Sequence, residues 1–222
     1  MASTDAAGRR PADGSDIDHP HAQSGSRIRL EWGPIGAERL APIAGSPSTP
    51  TRGLMTERSV SPSRWVRRWR AVVVPSPNGA SISASLAGGD STVVGACLRN
   101  RRAAAAFVAR RLCADSTSSV VLVPAGERWP DGSLRPAVED LWGAGGVVAA
   151  LEDLGLTSVS EEASAAAAAY RLVEARLSEA LAACSSGREL ADGGYAVDVA
   201  IAGELDESGS VPRLVDGAFV AQ

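Results

Sequence analysis

Six charged side chains crowd the stretch 123–146, VPAGERWPDGSLRPAVEDLWGAGG: Glu127, Arg128, Asp131, Arg135, Glu139 and Asp140. An apolar run, Val120 to Val123, halts at Pro124-Ala-Gly126, and the charges follow at once. Pro136 then opens a helical pattern whose first turn carries Glu139 and Asp140. Open α/β sheets bind ligands at this kind of place, beyond the carboxyl end of a strand. The carboxylates of Glu127, Glu139 and Asp140 are hard oxygen ligands for Mg2+ and candidate catalytic groups. Arg128 offers a guanidinium fork that matches an anionic substrate. An acidic first turn also suits the helix dipole alone, so helix capping is the competing reading of Glu139 and Asp140.

Two further strand ends resemble this one. In SPNGAS, Asn78 and Gly79 precede a helical pattern and present backbone amides and a permissive glycine, which suit an anion. The competing reading is a plain Asn-Gly turn. In GACLRN, Arg99 and Asn100 supply a second guanidinium and an amide. A parallel sheet would bring all three tips to one edge, so Asn78, Asn100, Glu127 and Glu139 are expected together there. An anion cradle beside a carboxylate cluster is the layout of metal-assisted phosphate chemistry. Farther along, Arg188 in CSSGREL could reach the same anion or form a surface ion pair with Glu189 or Asp192.

Composition narrows the alternatives. The chain has 222 residues, a net charge of −4, and 22 Lys plus Arg residues that are all arginine. The net charge gives no global nucleic-acid signal; the short basic-aromatic run WVRRWR at 65–70 could bind a phosphate backbone or single-stranded bases, but the favoured reading is an amphipathic link whose tryptophans fold onto the core. The only histidines, His19 and His21, lie in a polar N-terminal stretch, which leaves no Ser-His-Asp or Cys-His arrangement. There is no GxGxxG or Walker loop. Cys97, Cys113 and Cys184 form no CxxC pair and read as small buried residues in a reducing compartment. Without a signal-peptide pattern or a long apolar span, the expected location is the cytoplasm, with no membrane partner.

Periodicity places the sites on elements. Apolar runs predict strands at 71–74, 92–97 and 120–123, with a turn at 75–79. Helices are expected at 80–86, 100–112 and 137–151, and the longest at 163–184 behind the N-cap Ser160. Ile28 and Leu30 alternate with Arg27 and Arg29, as in a half-exposed strand. Residues 187–191 suggest a helical turn, and 197–201 fit a strand or a helix. Alternating strands and helices imply α/β with βαβ units. The expected organisation is a disordered tail at 1–26 and a single domain at 27–222. An irregular segment, 42–63, interrupts that domain. Asp206 and Glu207 are expected to be solvated.

The strings SPNGAS, GACLRN, PAGERWPDGSLRPAVEDLWGAG, CSSGREL, DVAIAGELD and VPRLVDGAF resemble, in order and content, the 2-phosphosulfolactate phosphatase family. The resemblance runs from about 59 to 219 and touches RIRLEWGPIGA near the start. It implies a three-layer α/β/α fold with a largely parallel or mixed sheet. It also implies Mg2+-dependent hydrolysis of a phosphate ester on a sulfonated lactate, a step of archaeal coenzyme M biosynthesis. The substrate class is then a small phosphorylated organic acid, and self-association is left open. Where the family is expected to carry an Asp-Val-Leu-x-x-Thr-Thr type loop, residues 42–58 show neither that loop nor a hydrophobic strand. This leaves room for the loss of one or more family strands. The alternative function is a catalytically inactive remnant, or an α/β module that binds an anion or a partner.

Overall fold

The computed structural model describes residues 23–43, 52–56, 77–86 and 91–221. Most of the expected tail, His19 and His21, the 65–70 run and the 71–74 strand lie outside the described residues. The centre of the sheet is β4 (Val120–Pro124), whose five residues are all buried. It pairs in parallel with β1 (Ile28–Leu30) on one side and β2 (Arg52–Thr56) on the other. β2 pairs in parallel with β3 (Val94–Ala96). An antiparallel hairpin, β7 (Arg213–Val215) and β8 (Ala218–Val220), extends the sheet beyond β3, giving the order β1-β4-β2-β3-β7-β8. The fold is α/β with a mixed sheet, as expected. A separate small hairpin, β5 (Glu127–Arg128) and β6 (Leu134–Arg135), follows β4.

The unbroken apolar run of β4 exists because both faces of the strand are covered. Val120 and Leu122 enter the larger core. There they meet α3 (Arg101–Ala114), α4 (Val138–Asp153), α5 (Glu161–Val173), α6 (Leu177–Ala183) and α8 (Ala196–Ala202). Val121 and Val123 face the opposite way. They meet α1 (Gly33–Ile43) and α2 (Pro77–Leu86) through Ala37, Leu40, Ile82 and Leu86. On the first face, α4 and α5 approach closely. A Cβ at Gly145 would stand 2.0 Å from the Ala166 carbonyl oxygen, so the GAGG run of α4 lets two backbones touch. Among the described residues no helix is long and apolar enough to cross a membrane.

Several expectations are corrected. The segment read as irregular holds β2, a strand in the interior of the sheet. Pairing on both sides supplies the backbone hydrogen bonds that its short apolar content does not announce. Residues 23–26, read as tail, sit against β1: the Gln23 side-chain amide both donates to the Leu30 carbonyl at 2.8 Å and accepts from its N–H at 3.2 Å. β1 is buried throughout rather than half-exposed. Arg29 is enclosed and donates to Ser119 Oγ at 2.9 Å, and desolvation lowers its pKa. Asn78 and Gly79 belong to the first turn of α2, not to a free turn. Cys113 is exposed rather than buried. The long helix expected at 163–184 breaks at a 3-10 turn, Glu174–Arg176, between α5 and α6. Glu174 is engaged there by Tyr170, whose hydroxyl donates to Glu174 Oε1 at 2.8 Å, and by the buried Arg101 at 3.6 Å. Asp206 is not solvated: it accepts from Arg101 Nε at 3.0 Å and from the Arg102 amide at 2.9 Å, capping α3.

The loop from α3 to β4 is held by charge. The Arg27 guanidinium donates to the carbonyls of Leu112, Asp115 and Ser118. Asp115 accepts from the hydroxyls of Ser118 and Thr117 and from the Thr117 amide, which hold its carboxyl down at about 2. A lowered carboxyl pKa stabilises the fold above the unfolded value of about 4 and loses that contribution as pH falls toward the folded value. The Asp115→Asn variant is therefore expected to show a flatter dependence of melting temperature on pH between about 4 and 2. Parallel melts of both proteins across that range check it, and identical slopes would contradict it.

Candidate active site at the β4–α4 junction

The carboxyl end of β4 runs into Gly126, whose φ of +69° is a left-handed conformation that glycine adopts without strain. A Cβ there would also meet Leu134 Cδ1 at 2.6 Å, so the β5–β6 hairpin folds down directly over this glycine. Three elements are tied at this point. The Gly126 N–H donates to Asp140 Oδ2 in the first turn of α4 at 2.8 Å. The Gly126 carbonyl accepts from Asn78 Nδ2 in α2 at 2.6 Å. Arg128 Nε of the hairpin donates to Asn78 Oδ1 at 2.5 Å. Asn78, Arg128 and Asp140 thus converge at one strand end, with Gly79 beside Asn78 in α2. Arg128 is exposed, and with Nε on Asn78 its two terminal amino groups have no partner among the described residues and can face an anion.

Glu139, next to Asp140, is buried at 8% exposure. Its Oε2 lies 3.7 Å from Cys184 Sγ. Its Oε1 is buried and has no hydrogen-bond partner among the described residues. Cys184 is the N-cap of α7 (Ser185–Asp192), and its sulfur accepts from the Gly187 N–H at 3.3 Å. Burial pushes the Cys184 thiol up, and the Glu139 carboxylate adds to the shift. The protonated thiol therefore faces Glu139 and the Leu181 carbonyl, which lies 3.1 Å away. Glu127 stands in β5, half-buried, at the same strand end. Asp131 closes the hairpin tip by accepting from the amide and hydroxyl of Ser133.

Other expected site residues are drawn elsewhere. Asn100 accepts from the Cys97 amide at 2.8 Å and donates to the Ser210 carbonyl at 2.9 Å. Arg99 pairs with Glu204 and donates to the Ile201 carbonyl at 2.9 Å. Both follow β3, which shares its direction with β4, but they fasten the segment 201–210. Arg188 donates to the Ala183 carbonyl in the preceding turn, and no ion pair to Glu189 or Asp192 forms. Cys184 and Ser186 were missed as residues of the junction. The string CSSGREL singled out their neighbourhood, but for Arg188.

Among the described residues, no three histidine, cysteine or acidic side chains form a ready metal-holding group. Mg2+ does not need one, because it commonly takes one or two carboxylates and completes its shell with water and substrate phosphate. A buried carboxylate oxygen with no partner, Glu139 Oε1, fits that demand.

The chain is thus an α/β protein with a polar site at the carboxyl end of its central parallel strand. A model of the 2-phosphosulpholactate phosphatase family matches residues 59–217, and the chain belongs to that family. A search of curated proteins found no match. Family membership points to a phosphatase and to a phosphorylated small molecule as substrate.

Proposed function

We propose that this protein hydrolyses the phosphate ester of a small 2-hydroxy acid with the help of Mg2+, in the manner that its family's name describes. Water adds to phosphorus, the bond from phosphorus to the ester oxygen breaks, and the alcohol and inorganic phosphate leave. The observation that carries this reading is Glu139 Oε1, a buried oxygen with no partner beside the strand end. Leaving such an acceptor unsatisfied costs about 1–3 kcal/mol, so it calls for an occupant. Mg2+, when bound, would neutralise phosphate charge and orient the attacking water. Glu139 would hold it, with Glu127 and Asp140 as the other carboxylates at the strand end. Asp140 also fixes the Gly126 turn, and Asn78 aims Arg128 so that its free amino groups meet phosphate oxygens. The first-turn amides of α2 around Asn78 and Gly79 add to the anion's surroundings.

One observation favours the alternative, an inactive module that binds an anion or a partner. Arg99 and Asn100, both expected on the substrate, are engaged within the fold. Phosphate release from a phosphorylated 2-hydroxy acid and from a generic phosphate monoester separates the two. The expected result is turnover of the hydroxy-acid ester that stops with chelator and returns with Mg2+. A folded protein that releases no phosphate under any of these conditions would leave the binding module.

A further inference from the structure

The two edges of the main sheet are finished differently. Along β1 runs the segment 158–160: the Ile28 amide donates to the Ser158 carbonyl at 2.8 Å, and the Ser160 amide donates to the Ile28 carbonyl at 2.9 Å. At the other edge stands β8, all three residues of which are exposed, Phe219 at 43% and Val220 at 49%. Among the described residues no strand pairs with its outer side. The turn before β8 fixes which groups that side presents. Asp216 and Gly217 have φ of +49° and +78°, the two left-handed residues of a type I′ hairpin turn. Val215 and Ala218, which flank this turn, form a hydrogen-bonded pair, so the next pair, Leu214 and Phe219, is a non-hydrogen-bonded one. The Leu214 amide accordingly turns away from β8 and donates to the Val93 carbonyl at 3.0 Å. By the same alternation the Phe219 N–H and C=O point out of the sheet. The Phe219 ring leans back over β7, to 3.7 Å from where a Cβ of Gly95 would stand, so it does not fold over the edge.

We infer that β8 pairs antiparallel with β8 of a second copy of this chain, about a two-fold axis beside Phe219, so that two sheets join into one. An antiparallel strand pair is its own two-fold image, which lets one surface serve both partners. About that axis the Phe219 N–H donates to the carbonyl of the partner's Phe219 and receives the same bond in return, so both outward groups are satisfied on each copy. The side chains agree with that register. Residues directly opposite in an antiparallel pair are in contact, so the exposed part of one Phe219 ring covers the other in an aromatic cross-strand pair. On the opposite face Val220 meets the partner's Ala218. Natural edge strands repel a second strand with charges or proline, and Ala218, Phe219 and Val220 carry neither. Two copies therefore meet without like charges face to face. A copy of this chain fits better than a foreign strand because the edge meets its own requirements, an outward donor beside an outward acceptor and an aromatic between two apolar residues. Three residues a side make a small interface, so the association is weak and concentration-dependent.

Sedimentation velocity of the full chain, from about 10 µM to about 500 µM, tests this. Wild type is expected to pass from monomer to dimer and no further, because two-fold pairing uses up the edge on both copies. Phe219→Lys and Phe219→Glu each set like charges directly opposite one another and should weaken the dimer at least about tenfold. An equimolar mixture of the two variants sets opposite charges there and should associate at least about tenfold more tightly than either alone. Circular-dichroism melts establish that each variant is folded. Should either not fold, Val220→Lys takes the place of the pair and should weaken the dimer likewise, since a charge on an edge strand opposes pairing. A wild-type chain that stays monomeric throughout would overturn the proposal and leave the edge to a strand of another protein. Equal dimer strength in wild type and in folded Phe219→Lys or Val220→Lys would overturn it as well. So would folded Phe219→Lys and Phe219→Glu that remain apart when mixed, or growth of wild type beyond the dimer.

Discussion

Gly145→Val is expected to lower the melting temperature by several degrees, up to about 12 °C. The atom in its way is the Ala166 carbonyl oxygen, 2.0 Å from where a Cβ would stand, and the next are the Ala166 carbonyl carbon and the Ala167 nitrogen. These are backbone atoms, so no rotamer change relieves the clash and α5 must move away from α4. Overpacking of this kind costs about 1–3 kcal/mol and sometimes more. Each kcal/mol shifts the midpoint by about 2–4 °C in a domain of this size. Gly209→Val is the control, because no atom lies within 4 Å of its Cβ position. Calorimetric melts of the three proteins decide the matter. A midpoint for Gly145→Val within about 2 °C of the control would show that α4 and α5 do not pack through this glycine.

The second large effect is at Glu139. Glu139→Gln preserves shape and removes the charge of the one described carboxylate with a buried oxygen that has no partner. A bound metal supplies several kcal/mol of transition-state stabilisation, so phosphate release should fall by at least about 100-fold. The fold should hold, since the amide can keep the contact to Cys184 that Glu139 Oε2 makes now. A variant that melts like wild type but turns over at a comparable rate would remove Glu139 from the reaction.

Legibility in the sequence followed from how locally each feature is determined. β4 and the start of α4 were legible because an apolar run ends at Pro124-Ala-Gly126 and acidic residues follow Pro136. Asn78 was expected beside the β4–α4 loop, and its bond to the Gly126 carbonyl places it there; the strand expected at 71–74 lies outside the described residues. β2 was not legible, because its place depends on partners on both sides rather than on its own five residues, Arg52–Thr56. Arg99 and Asn100 were read correctly as residues after a strand. Their partners, Glu204 and Ser210, lie over 100 positions away, and nothing local announces them. The same holds for Asp206, whose φ of +58° and bonds to Arg101 and the Arg102 amide belong to the folded state alone. Ser186 looked like part of an Arg-bearing turn. Its burial in the first turn of α7 belongs to the folded state alone.

The most direct test of the account is a magnesium titration of phosphate release from a phosphorylated 2-hydroxy acid, run on wild type and Glu139→Gln side by side. The account predicts a saturable rise with Mg2+ for wild type and a flat, near-background line for the variant. Equal responses from the two proteins, or wild-type release that is indifferent to Mg2+, would contradict it.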